Sequence, residues 1–238
     1  MKVHYDMGDE HLKVLFWDID GTLMRTDKAG LFAFQQATRE RYGAEADFSR
    51  ITTAGRTDYY IAAQIIEQLT GRKPDAQAVS ALVHHYVGLL PLHLSARKGH
   101  IIEPVLEILQ KVSDRPGFAQ LLLTGNVAQG ARAKLSHFSV DHFFDFSASA
   151  FGDHQADRDH VAAAGWKAVR ERYEGITPDN IFVIGDTPHD IRCGKSIGSR
   201  TVAVATGVFP LSELALHSPW RAVERLPAPE EFIGMLEN

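Results

Sequence analysis

Three short segments of this sequence carry side chains that can attack, protonate or coordinate an oxyanion. The first, DIDGTL at positions 18–23, directly follows the apolar run at 14–17. Asp18 and Asp20 are carboxylates one residue apart at the end of a predicted strand, so one can act as a nucleophile while the other transfers protons. Gly21 allows the backbone to approach an anion closely. The plainer interpretation is an acidic turn that only ends a strand, and the full string makes it the less favoured one.

A second polar group, Thr124, Gly125 and Asn126, follows the apolar run at 120–123. A hydroxyl, a glycine amide and an Asn side chain can all donate hydrogen bonds to phosphate oxygens. The next predicted helix would point its N-terminus at the same place. Thr and Asn are also ordinary residues at the start of a helix. Taken alone, this segment leaves phosphate binding and helix capping equally open.

The third group is GDTPHD at positions 185–190, after the apolar run at 181–184. Thr187 can cap the next helix, and Asp190 lies in its first turn, where the helix dipole favours a carboxylate. This structural explanation does not cover Asp186, which follows a strand as Asp18 does. Clustered carboxylates repel one another unless a cation neutralises them. Hard oxygen ligands beside a phosphate favour Mg²⁺.

Short apolar runs alternate with helical patterns along most of the chain. Nearly continuous apolar runs of this length are typical of strands buried on both faces of a parallel sheet. The predicted strands are 14–17, 120–123, 143–146, 181–184 and 201–204, and the predicted helices between the later ones are 128–138, 160–172 and 188–197. This alternation predicts an α/β protein with a doubly wound, Rossmann-like parallel sheet, which binds ligands beyond the carboxyl ends of its strands.

The segment between the first two predicted strands is much longer than a crossover helix requires. It contains roughly 100 residues, and its apolar residues recur with helical spacing. One helix is predicted over 76–90 and ends before Pro91. We therefore predict an α/β domain over 1–25 and 99–238, interrupted by a helical domain over 26–98.

Together, the three motifs resemble those of the haloacid dehalogenase superfamily, most closely its phosphoglycolate-phosphatase-like members. The resemblance covers essentially the whole chain, and the helical segment matches the helical-bundle cap that closes over the family's active site. It implies that Asp18 forms an aspartyl-phosphate. Asp20 would protonate the leaving oxygen and then activate the water that hydrolyses the intermediate. The family's dehalogenases carry a different residue at the second position, so Asp20 indicates phosphoryl chemistry.

The same resemblance implies the metal and phosphate ligands. Mg²⁺ is expected directly on Asp18 and Asp186 and on the backbone carbonyl of Asp20, with Asp190 supporting the site. Thr124 is expected to donate its hydroxyl to the phosphate. The other expected phosphate-binding groups are Gly21, Gly125, Asn126 and the N-terminus of the helix that follows.

A lysine usually stands in the family's third motif, and this sequence has none at the corresponding place. Arg158 lies just before a predicted helix, close to the expected position, and its guanidinium could bridge the nucleophile and the phosphoryl group. The alternative is a solvated arginine paired with Asp157 or Asp159. Lys134 and Lys167 lie inside predicted helices and are less well placed for this role.

The candidate specificity loop is AGRTD at positions 54–58, between two predicted helices. Gly55 allows a tight turn there. Arg56 could reach a substrate carboxylate or a second phosphate. It could equally be a surface residue or form a salt bridge between helices, and the sequence leaves these possibilities open.

Composition excludes several classes of protein. There are 25 Lys and Arg against 30 Asp and Glu, a net charge of −5, which argues against nucleic-acid binding through a basic surface. The one cysteine excludes an intramolecular disulfide framework and favours a reducing cytoplasm. No apolar run approaches the roughly 20 residues of a membrane-spanning helix, and no targeting segment is visible.

These observations predict a cytoplasmic, magnesium-dependent phosphatase of a small phosphorylated metabolite, monomeric or homodimeric. A sugar-phosphate mutase on the same scaffold is the first alternative, because the first motif serves both reactions. A catalytically weak member that binds a ligand or partner is the second, because the third motif lacks its lysine. A dinucleotide-binding oxidoreductase is disfavoured, since no GxGxxG follows the first strand.

Overall fold

The computed structural model describes residues 12–237. In this range the strands are β1 (Lys13–Trp17), β2 (Met24–Arg25), β3 (His100–Ile101), β4 (Phe118–Leu122), β5 (Ile181–Gly185), β6 (Arg200–Val204) and β7 (Arg221–Val223). The α-helices are α1 (Ala29–Tyr42), α2 (Asp58–Thr70), α3 (Ala76–Ser95), α4 (Val105–Ser113), α5 (Ala128–His137), α6 (Arg158–Arg172), α7 (Pro188–Ser196), α8 (Leu211–Leu216) and α9 (Pro229–Glu237). Within the same range, no helix combines the length and the apolar character needed to cross a membrane.

Five strands form one parallel sheet in the order β4-β1-β5-β6-β7, so β1 lies between β4 and β5. Side chains alternate across β1, because successive residues of a strand point to opposite faces. Leu15 and Trp17 pack in one core cluster, and Val14 and Phe16 pack in another on the opposite face. The structure confirms the predicted doubly wound α/β core.

Helices α1, α2 and α3 share a separate core cluster, and we call these three helices the helical insertion. The stacked rings of Phe34 on α1 and Tyr86 on α3 lie at its centre, with centroids 3.8 Å apart. The antiparallel pair β2–β3 joins the insertion to the sheet-bearing part of the chain. The insertion follows the predicted helical segment, and its boundaries at 26 and 98 stay a prediction.

Helix α3 continues through Pro91 to Ser95, so the predicted end before Pro91 is wrong. A proline inside a helix removes one backbone hydrogen bond and crowds the preceding turn. Pro91 itself is exposed, whereas Leu94 in the next turn is buried in the core of the insertion. Burial of Leu94 offsets the cost of the proline.

The predicted strand at 143–146 is also wrong. A short 3-10 helix, Asp141–Phe143, occupies the start of this run, and Phe144 is buried against the sheet-bearing core. An apolar run this short does not distinguish a strand from a segment that only packs. Instead, Ala150 bridges to Leu123 directly after β4.

Candidate active site

The motif residues meet at the carboxyl edge of the sheet. The parallel register pairs Trp17 of β1 with Leu122 of β4 and with Ile184 of β5, so these strands end side by side. Asp18 and Asp186 follow their strands at this edge, and Asp190 lies one helical turn beyond Asp186. The three carboxylates are buried, and each has an oxygen within 4.8 Å of the others.

Burial strongly disfavours the charges of these carboxylates. It raises the pKa of Asp18 to about 7, and the nearby charge of Asp190 adds to the shift. Burial followed by repulsion from Asp190 and Asp18 raises the pKa of Asp186 well above its usual range. A site that concentrates negative charge in this way is suited to a cation or to a strong positive side chain.

Arg158 supplies that positive side chain. It begins helix α6 and is 3% exposed, with one guanidinium nitrogen 3.3 Å from Asp18 Oδ1 and the other donating a hydrogen bond to Asp190 Oδ1. The alternative partners, Asp157 and Asp159, are instead paired with Arg192 on the surface. Arg158 therefore contacts the predicted nucleophile, and its role in place of the third-motif lysine stays a prediction.

Asp190 is fully engaged by neighbouring groups. Its Oδ1 accepts from Arg158, and its Oδ2 accepts from the backbone N–H and the hydroxyl of Thr187. Thr187 and Asp190 form the reciprocal capping box at the start of α7, with Pro188 at its first position. Asp190 thus anchors both Arg158 and α7, which is consistent with a supporting role beside a metal.

Asp186 lies in a tight cradle of backbone. A side-chain Cβ at Gly21 would lie 2.5 Å from Asp186 Oδ2, and one at Gly207 would come closer still. Thr22 donates its hydroxyl to Asp186 Oδ1 at 3.1 Å. The carboxylate oxygens of Asp186 and Asp18 lie close together in this cradle. Such a set of oxygen ligands fits a hard divalent cation such as Mg²⁺.

Lys134 is a site residue that the sequence analysis missed. Its side chain is 5% exposed, and Nζ lies 2.5 Å from Asp20 Oδ2 and 2.6 Å from Asn126 Oδ1. Lys134 shares the buried face of α5 with Ala131 and Leu135, so its helical spacing was the signal that could have found it. The other candidate, Lys167, is exposed and pairs with Glu171.

Lys134→Met is expected to lower kcat about 10- to 100-fold, because the change removes the charged partner that orients the Asp20 carboxylate. Steady-state kinetics with a phosphorylated substrate measure the effect. Lys167→Met is the matched control, since it removes a lysine from a solvent-exposed pair, and it should change kcat less than twofold. Equal kcat values for the two variants would exclude a contribution of Lys134 to catalysis.

The second motif lies beside Asp18 and Asp20. A hydrogen bond from the Thr124 side chain opposes the rise in the pKa of Asp18. The Asn126 amide donates to Asp20 Oδ2 and to Thr124 Oγ1, both at 2.9 Å. In this arrangement the Asn126 side chain holds Asp20, and its role towards a phosphate stays a prediction.

Two amides at the N-terminus of α5, which the sequence analysis expected to point towards the phosphate, are bonded to carboxylates. Val127 N–H donates to Asp58 Oδ2 and Ala128 N–H donates to Asp153 Oδ2, each at 2.8 Å. Two carboxylates therefore already cap this helix, as the helix dipole favours. Burial raises the pKa of Asp58 to about 6.

The predicted specificity loop covers the site from the helical insertion. The loop packs directly against Gly125, where a Cβ atom would collide with the Arg56 backbone. The carbonyl of Gly125 accepts a hydrogen bond from the Asp58 N–H at 2.9 Å. Arg56 lies 4.6 Å over the ring of Tyr60, and its buried Nε has no hydrogen-bond partner within residues 12–237. Arg56 lines the same cavity of about 500 Å³ as Asp18 and Asp20.

Comparison with known proteins agrees with this fold. The family model for haloacid dehalogenase-like hydrolases matches residues 15–195, so the chain belongs to that family. Pyrophosphatase PpaX from Bacillus pumilus is 22% identical over 90% of this chain and 92% of its own length. These findings confirm the resemblance and the predicted hydrolase class.

Solved structures share the fold along nearly the whole chain. A protein from Bacteroides vulgatus, named provisionally as a β-phosphoglucomutase, has a TM-score of 0.69 and 17% identity, covering 97% of this chain and 90% of its own. A "predicted phosphoglycolate phosphatase" from Haemophilus somnus has a TM-score of 0.68 and 17% identity, covering 97% and 99%. At this identity the similarity shows the fold alone.

Proposed function

We propose that this chain is a magnesium-dependent phosphatase that hydrolyses a small phosphorylated metabolite through an aspartyl-phosphate on Asp18. The observation that carries the proposal is the position of Asp18. Its carboxylate is buried at the end of β1, contacts Arg158 and lines the cavity together with Asp20. The relatives named as pyrophosphatases support the same class of reaction.

Asp18 would attack the phosphorus atom in line with the leaving oxygen, so that a bond forms to the aspartate as the bond to the leaving group breaks. The forked guanidinium of Arg158 contacts Asp18 with one nitrogen and Asp190 with the other. This anchoring fixes its positive charge beside the transferring phosphoryl group. Asp18 and Asp186 would hold Mg²⁺, whose charge neutralises the phosphoryl oxygens.

Asp20 would transfer the protons. Its carboxylate is held by Asn126 and Lys134 on one side and lines the cavity on the other. From there it can protonate the leaving oxygen and later accept a proton from the water that attacks the aspartyl-phosphate. The covering loop at 54–58 limits access of bulk water to the phosphoryl group while substrate is bound.

Magnesium-dependent phosphate release from a panel of phosphorylated metabolites tests this function. The panel includes phosphoglycolate, inorganic diphosphate and an aryl phosphate, each assayed with Mg²⁺ and with excess EDTA. We expect release that EDTA abolishes and added Mg²⁺ restores. Release that survives EDTA would contradict the metal dependence. An isomerised sugar phosphate as the product, formed only with a bisphosphate present, would favour a mutase.

Added Mg²⁺ is expected to raise the melting temperature more at pH 8 than at pH 5.5. The raised pKa of Asp18, about 7, means that the folded chain binds more protons than the unfolded chain above about pH 4. The metal-free stability therefore falls as pH rises towards 7. At pH 5.5 protons largely neutralise Asp18 and compete with the ion. Thermal unfolding with Mg²⁺ and with EDTA measures the rise in melting temperature at each pH. A larger rise at pH 5.5 than at pH 8 would contradict the assignment of the metal site to this carboxylate cluster.

A further inference from the structure

The cavity extends from the carboxylates into the helical insertion, where apolar side chains join the charged ones in its lining. Side chains from β2, α1, the short 3-10 helix at 48–50, α2 and α3 form this part, which we call the apolar wall. Its members are Met24, Leu31, Phe34, Phe48, Ile61 and Tyr86. A cavity of about 500 Å³ is in the range that encloses an organic ligand of considerable size, far larger than a phosphoryl group alone.

Tyr86 is the polar member of this wall. It is 1% exposed, and its ring is fixed by stacking on Phe34 with an angle of 2° between the planes. In the part of the chain that the structure describes, its hydroxyl makes no hydrogen bond. Burial, with the nearby charges of Asp58 and Asp20, raises the pKa of Tyr86 well above its usual value, so the hydroxyl stays a donor. A hydroxyl that reaches the cavity without a protein partner is available to donate a hydrogen bond to a ligand there.

Gly30 leaves room beside this hydroxyl. It lies in the first turn of α1, has no positive φ and lines the cavity. A Cβ at this position would lie 3.4 Å from the Tyr86 hydroxyl oxygen, which is an ordinary van der Waals contact. The backbone thus tolerates alanine at position 30, and the added methyl group would occupy space that is now open to a ligand.

Arg56 also lines this cavity and brings a positive charge to it, while its buried Nε has no hydrogen-bond partner among residues 12–237. Its ring contact with Tyr60 orients the guanidinium without using its N–H groups. The cavity therefore presents the Tyr86 hydroxyl and the Arg56 guanidinium together with apolar surface.

We propose that the apolar wall binds the leaving group of the substrate, and that this leaving group is organic, with an apolar face and a hydrogen-bond acceptor that receives the Tyr86 hydroxyl. Arg56 binds an additional acceptor or anionic group on the same molecule. This inference rests on the proposed phosphatase function and narrows its substrate to organic phosphate monoesters. Inorganic diphosphate leaves the wall unfilled and its donors unpaired, so it is a poor substrate for this chain.

The test compares kcat/KM for 1-naphthyl phosphate and inorganic diphosphate in the wild type, Gly30→Ala, Tyr86→Phe and Tyr59→Phe. Tyr59→Phe is the matched control, because the Tyr59 hydroxyl is bonded to Ser80 within the insertion and Tyr59 does not line the cavity. We expect the wild type to prefer the aryl ester. Gly30→Ala should raise its KM about tenfold by occupying the space beside Tyr86. Tyr59→Phe should leave both activities unchanged, and Gly30→Ala should raise the KM for diphosphate far less than the KM for the aryl ester.

Tyr86→Phe keeps the ring and removes the donor, so it should raise the KM only for esters that carry an acceptor. A second ester, a naphthyl phosphate with a ring carboxylate, is included for this comparison, and a KM increase of about 3- to 10-fold is expected for it. Preference for diphosphate, or unchanged KM values in Gly30→Ala, would overturn the inference while leaving the phosphatase intact. No magnesium-dependent release from either substrate class would instead overturn the proposed function.

Discussion

Asp18→Asn is expected to reduce turnover by roughly 10⁴-fold or more, because a carboxamide cannot form the covalent intermediate that the carboxylate forms. The fold should remain intact. Asparagine has the shape of aspartate, and the change removes one charge from three buried carboxylates that repel one another. The metal-free variant should therefore melt at or above the wild-type temperature. Phosphate release and thermal unfolding measure the two effects on one preparation.

The control for this variant is chemical. Asparagine can deamidate back to aspartate, so intact-protein mass spectrometry must accompany each assay. Asp157→Asn is the matched control, because it neutralises a surface carboxylate that pairs with Arg192 and does not line the cavity. It should retain wild-type turnover. Normal turnover by undeamidated Asp18→Asn would remove Asp18 as the nucleophile and with it the proposed mechanism.

Arg158→Met is expected to lower kcat/KM by at least about 10³-fold and to destabilise the metal-free fold by about 3–5 kcal/mol. Both effects have one cause. Arg158 is buried and contacts Asp18 and Asp190, so its removal leaves two buried carboxylates without their positive partner. The methionine fills a similar volume and isolates the loss of charge from a loss of packing. Kinetics and urea unfolding at pH 7.5 measure the two losses.

Arg158→Lys separates the charge from the geometry. Lysine is the residue that the resemblance leads one to expect in the third motif, and it retains the charge while losing the fork that contacts two carboxylates at once. We expect it to recover most of the stability and part of the activity. Wild-type kinetics in Arg158→Met would show that the rate of phosphoryl transfer does not depend on the charge of Arg158. Addition of Mg²⁺ to Arg158→Met should recover part of the stability, since the ion neutralises the same cluster.

The sheet and the main motif residues could be predicted because their signals are local. Apolar runs mark β1, β4, β5 and β6, and the chemical residues directly follow three of them. In a parallel sheet the carboxyl ends of strands meet at one edge, so Asp18, Thr124 and Asp186 had to converge. The resemblance identified Arg158, which lies before a predicted helix and close to the expected place of the third-motif lysine. The structure places it against Asp18.

The features that sequence did not reveal depend on contacts between distant segments. Lys134 has the side chain of a surface residue, and only the tertiary packing of α5 buries it against Asp20. The N-terminus of α5 was expected to point towards the phosphate, and no local signal indicated that two of its amides bond to Asp58 from the helical insertion and to Asp153. A single sequence carries no pairing information for such contacts.

The two errors in secondary structure have a related origin. Local rules disfavour a helix through Pro91, but they do not include the energy gained when Leu94 is buried in the core of the insertion. The run at 143–146 has the apolar character of a strand, and Phe144 is buried with no strand beside it. In both segments tertiary burial outweighed the local preference.

Chemical identification of the phosphorylated residue tests the central claim most directly. The Asp20→Asn variant is mixed with an aryl phosphate and Mg²⁺ and quenched in acid, because an aryl leaving group needs little protonation while loss of the base slows hydrolysis of the intermediate. Borohydride reduction then converts an aspartyl-phosphate to homoserine, which peptide mass spectrometry locates. The account predicts homoserine at position 18 and at no other aspartate. Phosphate attached to a different residue, or turnover with no residue modified, would contradict it.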